Sequence, residues 1–493
     1  MQDDRAPLSD FAASLMAGGI SALQDGVIGE GAPVPGPFGI KALVYADYVA
    51  SGRALRQIES FVTAQILPYY ANSHTEASYC GRYMTRMRQA ARGHIARLCG
   101  ATQAFSTIFT GSGATAGLNR LVHLLGVEEA ARAGEAPVVF IGPYEHHSNI
   151  LPWRESGAEI VEIGEAEEGG PDLRELAAAL AAAGPSRLKV GAFSAASNVT
   201  GLVTDTDAVT ALLKRHGART VWDYAGGGPY LPIDMKAGTP FEKDAVVVSP
   251  HKFIGGPGAS GVMIVRDAAV TRDRPVFSGG GTVRFVSPWG HDYSGNLACR
   301  EEAGTPNVIG DIRAGLAFLV KDAIGQDRMD ARHADLRRAA LAAWNRNPNI
   351  EILGNTRATA CLPIFSFRVR DPRHGGMIHQ QLFTRMLSDG YGIQARGGCA
   401  CAGPYAHRLL GIDAARSQAL RTAILAGEEI DKPGWTRLNF SVLMDDTKAG
   451  KIIAAVDELA RNPYPMADFY VGDRETARFR TAGPTPEAAA GVA

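Results

Sequence analysis

The chain has 493 residues, 46% hydrophobic and 20% charged, with a formal net charge of −1, and that length supports a large core and more than one domain. Lys and Arg are scattered along it, so it lacks the electrostatic footprint of a nucleic-acid binder or of a protein drawn to an anionic membrane, and a small substrate is expected instead. No run reaches the roughly 18 apolar residues that span a bilayer, and the start, Gln2-Asp3-Asp4-Arg5, has no basic-then-apolar secretion pattern.

Cys80, Cys99, Cys299, Cys361, Cys399 and Cys401 show no disulfide-framework spacing and are read as reduced, in a cytoplasmic protein. Residues 1–43 are expected to form an N-terminal arm, ending in the helix-averse segment Gly31-Ala32-Pro33-Val34-Pro35-Gly36-Pro37. Strand-like runs follow at Phe105–Thr110, Pro137–Ile141, Glu159–Ile163, Leu188–Phe193, Thr220–Asp223, Ala245–Val248 and Gly261–Val265. Their continuous hydrophobicity suits parallel strands buried on both faces. Helical stretches lie between them, such as the stripe Met84, Met87, Ala91, Ile95 and Leu98.

This alternation predicts an α/β domain over residues 44–305, with a mostly parallel seven-stranded sheet. After about Gly304 a long helical region gives way to separated strands (Pro363–Val369, Gly392–Ala395, Thr436–Val442), predicting a smaller α+β domain over 306–465 that includes part of the arm. Residues 466–493 are expected to be a tail, Ala/Pro/Gly-rich and disordered from about Thr481.

Lys252 follows the run Ala245–Val248 in Ser249-Pro250-His251-Lys252 and precedes a Gly-rich stretch that permits close backbone approach to a ligand. A lysine there is ordinarily a solvated surface residue. Asp223 ends another buried run, at the edge where open α/β sheets bind ligands, and can either cap a turn or pair with a pyridinium nitrogen. Thr110-Gly111-Ser112-Gly113-Ala114-Thr115 is a Gly-rich turn before a helix, a phosphate cradle without the lysine of a P-loop.

Glu145-His146-His147-Ser148-Asn149 and Ser197-Asn198 each follow a strand and fall on the same edge. His146 stacking on a flat cofactor and Asn198 bonding a ring hydroxyl are consistent with Asp223 and Lys252; zinc on the histidine pair lacks a third ligand. Arg396-Gly397-Gly398-Cys399-Ala400-Cys401 places two thiols in a Gly-rich loop beside an arginine that favours a thiolate. Metal binding by the two thiols with His407 is the competing reading there.

Together with Tyr45-Ala46-Asp47-Tyr48, Asn72-Ser73-His74-Thr75, Gly279-Gly280-Gly281-Thr282, Glu302-Ala303-Gly304-Thr305-Pro306-Asn307 and Arg437-Leu438-Asn439-Phe440, these segments occur in an order that resembles the class V aminotransferase fold, in the cysteine desulfurase and selenocysteine lyase group, from about Val44 to about Leu459. The resemblance implies the type I fold of pyridoxal-phosphate-dependent transferases, with Lys252 as the Schiff-base lysine, Asp223 on the ring nitrogen, His146 stacked on the ring and Asn198 near its oxygen. It implies Ala114, Thr115, Ser249 and His251 around the phosphate, and Thr282 reaching the phosphate of a neighbouring subunit in a homodimer.

It further implies that Arg437 clamps the substrate carboxylate, with Arg396 and Asn72 also on the substrate, and that Cys401 accepts sulfur from L-cysteine, leaving alanine, before passing it to an acceptor protein. Two departures are visible. Gly226 stands where the family usually has a Gln, and Cys399 beside Cys401 is similar to the Cys-x-Cys of molybdenum-cofactor sulfurases, so either sulfur is open as the acceptor. A C–S lyase, epimerase or aminotransferase of the same fold acting on another amino acid is the alternative activity. A sulfur carrier or scaffold without catalysis is the non-enzyme alternative.

Overall fold

The computed structural model describes residues 6–73 and 76–483. Gln2-Asp3-Asp4-Arg5, His74, Thr75 and the Ala/Pro/Gly-rich end beyond 483 lie outside the described residues. Two compact units are present: one takes in the chain to Ile28, Ser51–Ser197 and Val203–Arg328, the other Gly29–Ala50, Asn198–Leu202 and the chain from Met329.

The first unit is built on seven strands: β1 (Phe105–Gly111), β2 (Val138–Ile141), β3 (Glu159–Glu162), β4 (Lys189–Ser194), β5 (Arg219–Asp223), β6 (Ala245–Val248) and β7 (Gly261–Arg266). Their order in the sheet is β1-β7-β6-β5-β4-β2-β3. β6, β5, β4, β2 and β3 pair in parallel, while β7 runs antiparallel between β1 and β6. The seven apolar runs are thus the seven strands, and the residues of β2, β4 and β6 are all buried, as strands covered on both faces require.

Within the arm, helix α1 (Ala6–Asp25), kinked at Gly19, precedes the Pro/Gly segment. Helix α2 (Tyr79–Leu98) starts at Ser78, whose side chain accepts from Gly81 N at 3.2 Å, and buries the expected stripe through Met84, Met87, Ala91 and Ile95. It packs on α4 (Val308–Ile324), where Gly315 allows close approach: a Cβ there would lie 2.7 Å from Ala91 Cβ. α4 falls in the first unit, so the boundary at Arg328 lies one helix beyond the position 305 read from sequence. Its residues are buried nearly all round, which a helix packed on several neighbours needs and an exposed linker helix would not tolerate.

The second unit holds a four-stranded antiparallel sheet, ordered β8 (Ile350–Ile352), β9 (Ile364–Val369), β11 (Trp435–Asn439), β10 (Arg396–Gly398). Helices α5 (Gln380–Tyr391) and α6 (Asp446–Arg461) belong to this unit. Its core centres on Trp344, edge-on to Phe365 at 5.0 Å between centroids, with its indole N–H donating to Ile453 O at 3.1 Å. The stretch expected as a tail is in part structured: Tyr470–Gly472 pairs with Phe479–Thr481, and Tyr470 donates to Asp389 Oδ2 at 2.7 Å. Trp344→Ala leaves a cavity where these rings meet and should lower stability by about 3–5 kcal/mol in urea denaturation followed by circular dichroism. A variant as stable as the parent would show that this cluster is not the core.

Candidate active site

Parallel pairing decides what meets at the site. β2, β4, β5 and β6 are neighbours running in one direction, so the residues that follow them gather at one edge of the sheet. Asp223 closes β5 and Ser194 closes β4; Ser249 follows β6, and Glu145 and His146 follow β2. A short 3₁₀ turn, Pro250–Lys252, carries Lys252 directly after Ser249.

Asp223 is buried, and Ala225 N donates to its Oδ1 at 2.7 Å. Burial pushes its carboxyl above the ordinary range, while that amide and the charge of Lys252 pull it back. A carboxylate in this position calls for a cation beside it. His251 is pushed down to about 4 by burial and by the charge of Lys252, so it is a neutral imidazole near neutral pH.

The Gly-rich turn reaches the same place. Ala114 N, in the first turn of α3 (Gly113–Leu124), donates to Ser249 Oγ at 2.9 Å. Gly113 has φ +64°, and a Cβ there would lie 2.9 Å from Ser249 Oγ and 3.1 Å from His251 Cε1, so no other residue fits without displacing both. The Ser112 side chain does not cap its own helix. The N-terminus of α3, with Ser249 and His251 beside it, is therefore arranged to receive an anion.

From Thr115 a hydroxyl relay runs to His146. Thr115 Oγ1 and Ser148 Oγ are 2.7 Å apart, Ser148 Oγ and His146 Nδ1 are 3.1 Å apart, and Ser148 N also donates to Nδ1 at 3.1 Å. Acceptance of the amide proton at Nδ1 places the proton of the neutral ring on Nε2.

Glu145 is a group to which sequence reading gave no role, though it stands in the quoted run. It is buried and accepts from Asn149 Nδ2 (2.7 Å), Ser194 N (2.8 Å) and Ser194 Oγ (2.5 Å). Asn149 in turn accepts from Trp153 Nε1 at 3.0 Å. Burial, helped by the negative charge of Asp223, pushes Glu145 up to about 7 against these donors.

Glu302, also in a quoted motif, accepts from Phe109 N at 2.7 Å and pairs with Arg88 and with Arg92. Burial opposes its charge, but Arg92 and Arg88 outweigh burial and hold the carboxyl below its usual range. It thereby fixes the end of β1 from which the Gly-rich turn starts. Thr282 is buried, with Oγ1 donating to Gly279 O at 2.7 Å, and Asn72 is exposed; neither is bonded to the groups above.

In the second unit, Arg437 on β11 is buried and donates from Nη2 to Asp47 Oδ1 at 2.9 Å and from Nη1 to Asn198 O at 3.0 Å. Arg396, opposite Arg437 in the β10–β11 register, donates from Nε to the other oxygen of Asp47 at 3.0 Å. Asn198 Nδ2 donates to Ala400 O at 2.9 Å, so its amide is turned to the thiol loop. Cys401 is exposed and Cys399 half-buried. Both ring nitrogens of His407 are engaged, with Gly403 O and Ser417 Oγ at 2.8 Å each. Among the described residues no group of three or more His, Cys, Asp or Glu could hold a metal, and no helix is long and apolar enough to cross a membrane.

The raised Glu145 carboxyl has a consequence for stability. Between its ordinary 4.5 and about 7 the folded chain keeps a proton that the unfolded chain has lost, so stability falls as pH rises through that window and levels off above it. Glu145→Gln removes this term: the stability of the variant relative to the parent should rise by about 3 kcal/mol from pH 5 to pH 8 in urea denaturation. A flat difference would show that Glu145 is ionised throughout.

The aminotransferase class-V family model matches residues 44–426. A probable cysteine desulfurase of Streptomyces coelicolor is 28% identical over 368 residues, covering 73% of this chain and 84% of that protein. A cysteine desulfurase of Salmonella agona is 28% identical over 366 residues, covering 73% and 85%. Among solved structures, a cysteine desulfurase of Thermococcus onnurineus superposes with a TM-score of 0.70 at 22% identity, over 85% of this chain and 95% of that one. One from Escherichia coli superposes at 0.66 and 23%, over 91% and 98%. With its seven-stranded sheet and the family model spanning most of its length, the chain belongs to the class-V aminotransferases.

Proposed function

We propose that the chain is a pyridoxal-phosphate-dependent cysteine desulfurase, taking sulfur from L-cysteine and releasing alanine. The observation that carries the reading is the sheet edge where Asp223, Lys252 and the N-terminus of α3 come together. A buried acid that calls for a cation, an amine after the neighbouring strand and a helix end built for an anion fit a phosphorylated pyridine aldehyde. Lys252 Nζ would hold it covalently, Asp223 would pair with its ring nitrogen, and Ala114, Thr115, Ser249 and His251 would hold its phosphate. When bound, the cofactor supplies an electron sink for the pair left at the substrate α-carbon.

The chain's own groups do the rest. Arg437, already oriented by Asp47 and Asn198 O, binds the substrate carboxylate. Lys252 Nζ, once the substrate amine has displaced it, would take the α-proton, and His146, with its proton on Nε2, would be the donor for the carbon side. The Cys401 thiolate attacks the substrate sulfur; the new S–S bond forms as the C–S bond breaks, leaving a persulfide on Cys401 and, after proton return, alanine. The exposure of Cys401 favours it over Cys399 and lets an acceptor protein collect the sulfur.

A homodimer is part of the same proposal. The hairpin Val283–Ser287/Gly290–Tyr293, directly after Thr282, exposes Phe285, Val286 and Trp289, the last 92% accessible, and such a surface calls for a cover. Free cysteines, with the buried Cys99 thiol pushed up to about 12, fit a reducing cytoplasm.

Lys252→Ala is expected to abolish both the visible absorbance of bound pyridoxal phosphate and alanine formation. Cys401→Ser should keep the absorbance and lose at least about 100-fold in alanine formation from L-cysteine, as removal of a nucleophile does, whereas Cys399→Ser should retain turnover. A parent protein that binds the cofactor but makes no alanine would sink the desulfurase reading and leave the family's chemistry on another amino acid.

A further inference from the structure

Asp47 does more than orient Arg437: it lies buried between two arginines with one carboxylate oxygen on each, Oδ1 on Arg437 Nη2 at 2.9 Å and Oδ2 on Arg396 Nε at 3.0 Å. Arg396 opens β10, and β10 leads through Gly398 straight into Cys399, Ala400 and Cys401. Resting on the desulfurase reading, we infer that Asp47 is a positioning residue that couples the carboxylate-binding guanidinium of Arg437 to the loop carrying the acceptor thiol.

Three features of the second unit support the coupling. Ala400 and Cys401 hold φ of 55° and 56°, a left-handed conformation that non-glycine residues keep only when their surroundings impose it. The imposition comes from both sides of the loop, from Arg396 on Asp47 and from Ala400 O on Asn198 Nδ2. Asn198 passes the constraint on, since its carbonyl accepts from Arg437 Nη1. The guanidinium is thus fixed by Asp47 at one terminal nitrogen and by Asn198 at the other. The two arginines and Asp47 sum to one positive charge, the complement of one substrate carboxylate.

Asp47→Asn removes the shared charge, and one amide oxygen cannot serve both arginines. Its KM for L-cysteine should rise about tenfold, the effect of losing one charge-assisted hydrogen bond, with a smaller change in kcat. In the substrate-free holoenzyme, iodoacetamide should alkylate Cys401 about threefold or more faster, read by mass spectrometry of its peptide. Asp47→Glu should restore both in part. Arg396→Gln, at a half-exposed side chain, should reproduce the faster alkylation and carries the loop test if Asp47→Asn does not fold.

Alkylation and KM both within about twofold of the parent would overturn the inference. Faster alkylation with unchanged KM would overturn the coupling to Arg437. If the parent makes no alanine from L-cysteine, the desulfurase reading fails by itself, while the alkylation rates still decide whether Asp47 holds the thiol loop.

Discussion

A carboxylate kept out of water at the end of a buried strand sets the terms for the rest of the first unit. Asp223 lies under the carboxyl edge of the sheet, where burial works against its charge, and the nearest help is one backbone amide and the positive field of Lys252. The same field, with burial, keeps His251 neutral. Glu145 follows the strand two places along, and burial, helped by the negative charge of Asp223, pushes it up to about 7 despite three donors. Two acids at one low-dielectric edge are thus both pushed upward by burial, Glu145 against three donors and Asp223 against one amide and the charge of Lys252.

The second unit works by a different arrangement, one carboxylate shared by two cations. Asp47 accepts from Arg437 and Arg396 together, so both guanidinium groups are fixed in direction. The thiol loop inherits this order through β10 and through Asn198. A persulfide chemistry makes two demands on such a loop: the thiol must be reachable, and it must not wander. Exposure of Cys401 meets the first, and the constraint on Ala400 and Arg396 meets the second.

Much of this was legible in the sequence, for definable reasons. The seven strands announced themselves because strands covered on both faces are continuously apolar, and the residues that follow them had to share an edge once the pairing was parallel. Asp223, Lys252, His146 and the Gly113 turn are therefore assigned to that edge by the sequence pattern alone. Periodicity does not report the direction of β7, nor that α4 stays with the first unit, since a helix buried on all sides looks alike wherever it packs. The roles of Glu145, Asp47 and Glu302 were hidden for another reason: each acts through partners up to some 390 positions away in the chain, which no local pattern encodes. Asn198 shows the same limit, its amide being turned to Ala400 O in the thiol loop.

The decisive measurement is mass analysis of the holoenzyme after incubation with L-cysteine and no acceptor. One added sulfur atom on the peptide containing Cys401, with alanine formed in equal amount, is the predicted result. Alanine formed while Cys401 stays unmodified, or sulfur found on Cys399 instead, would contradict the assignment of the acceptor thiol; no alanine at all would contradict the reaction.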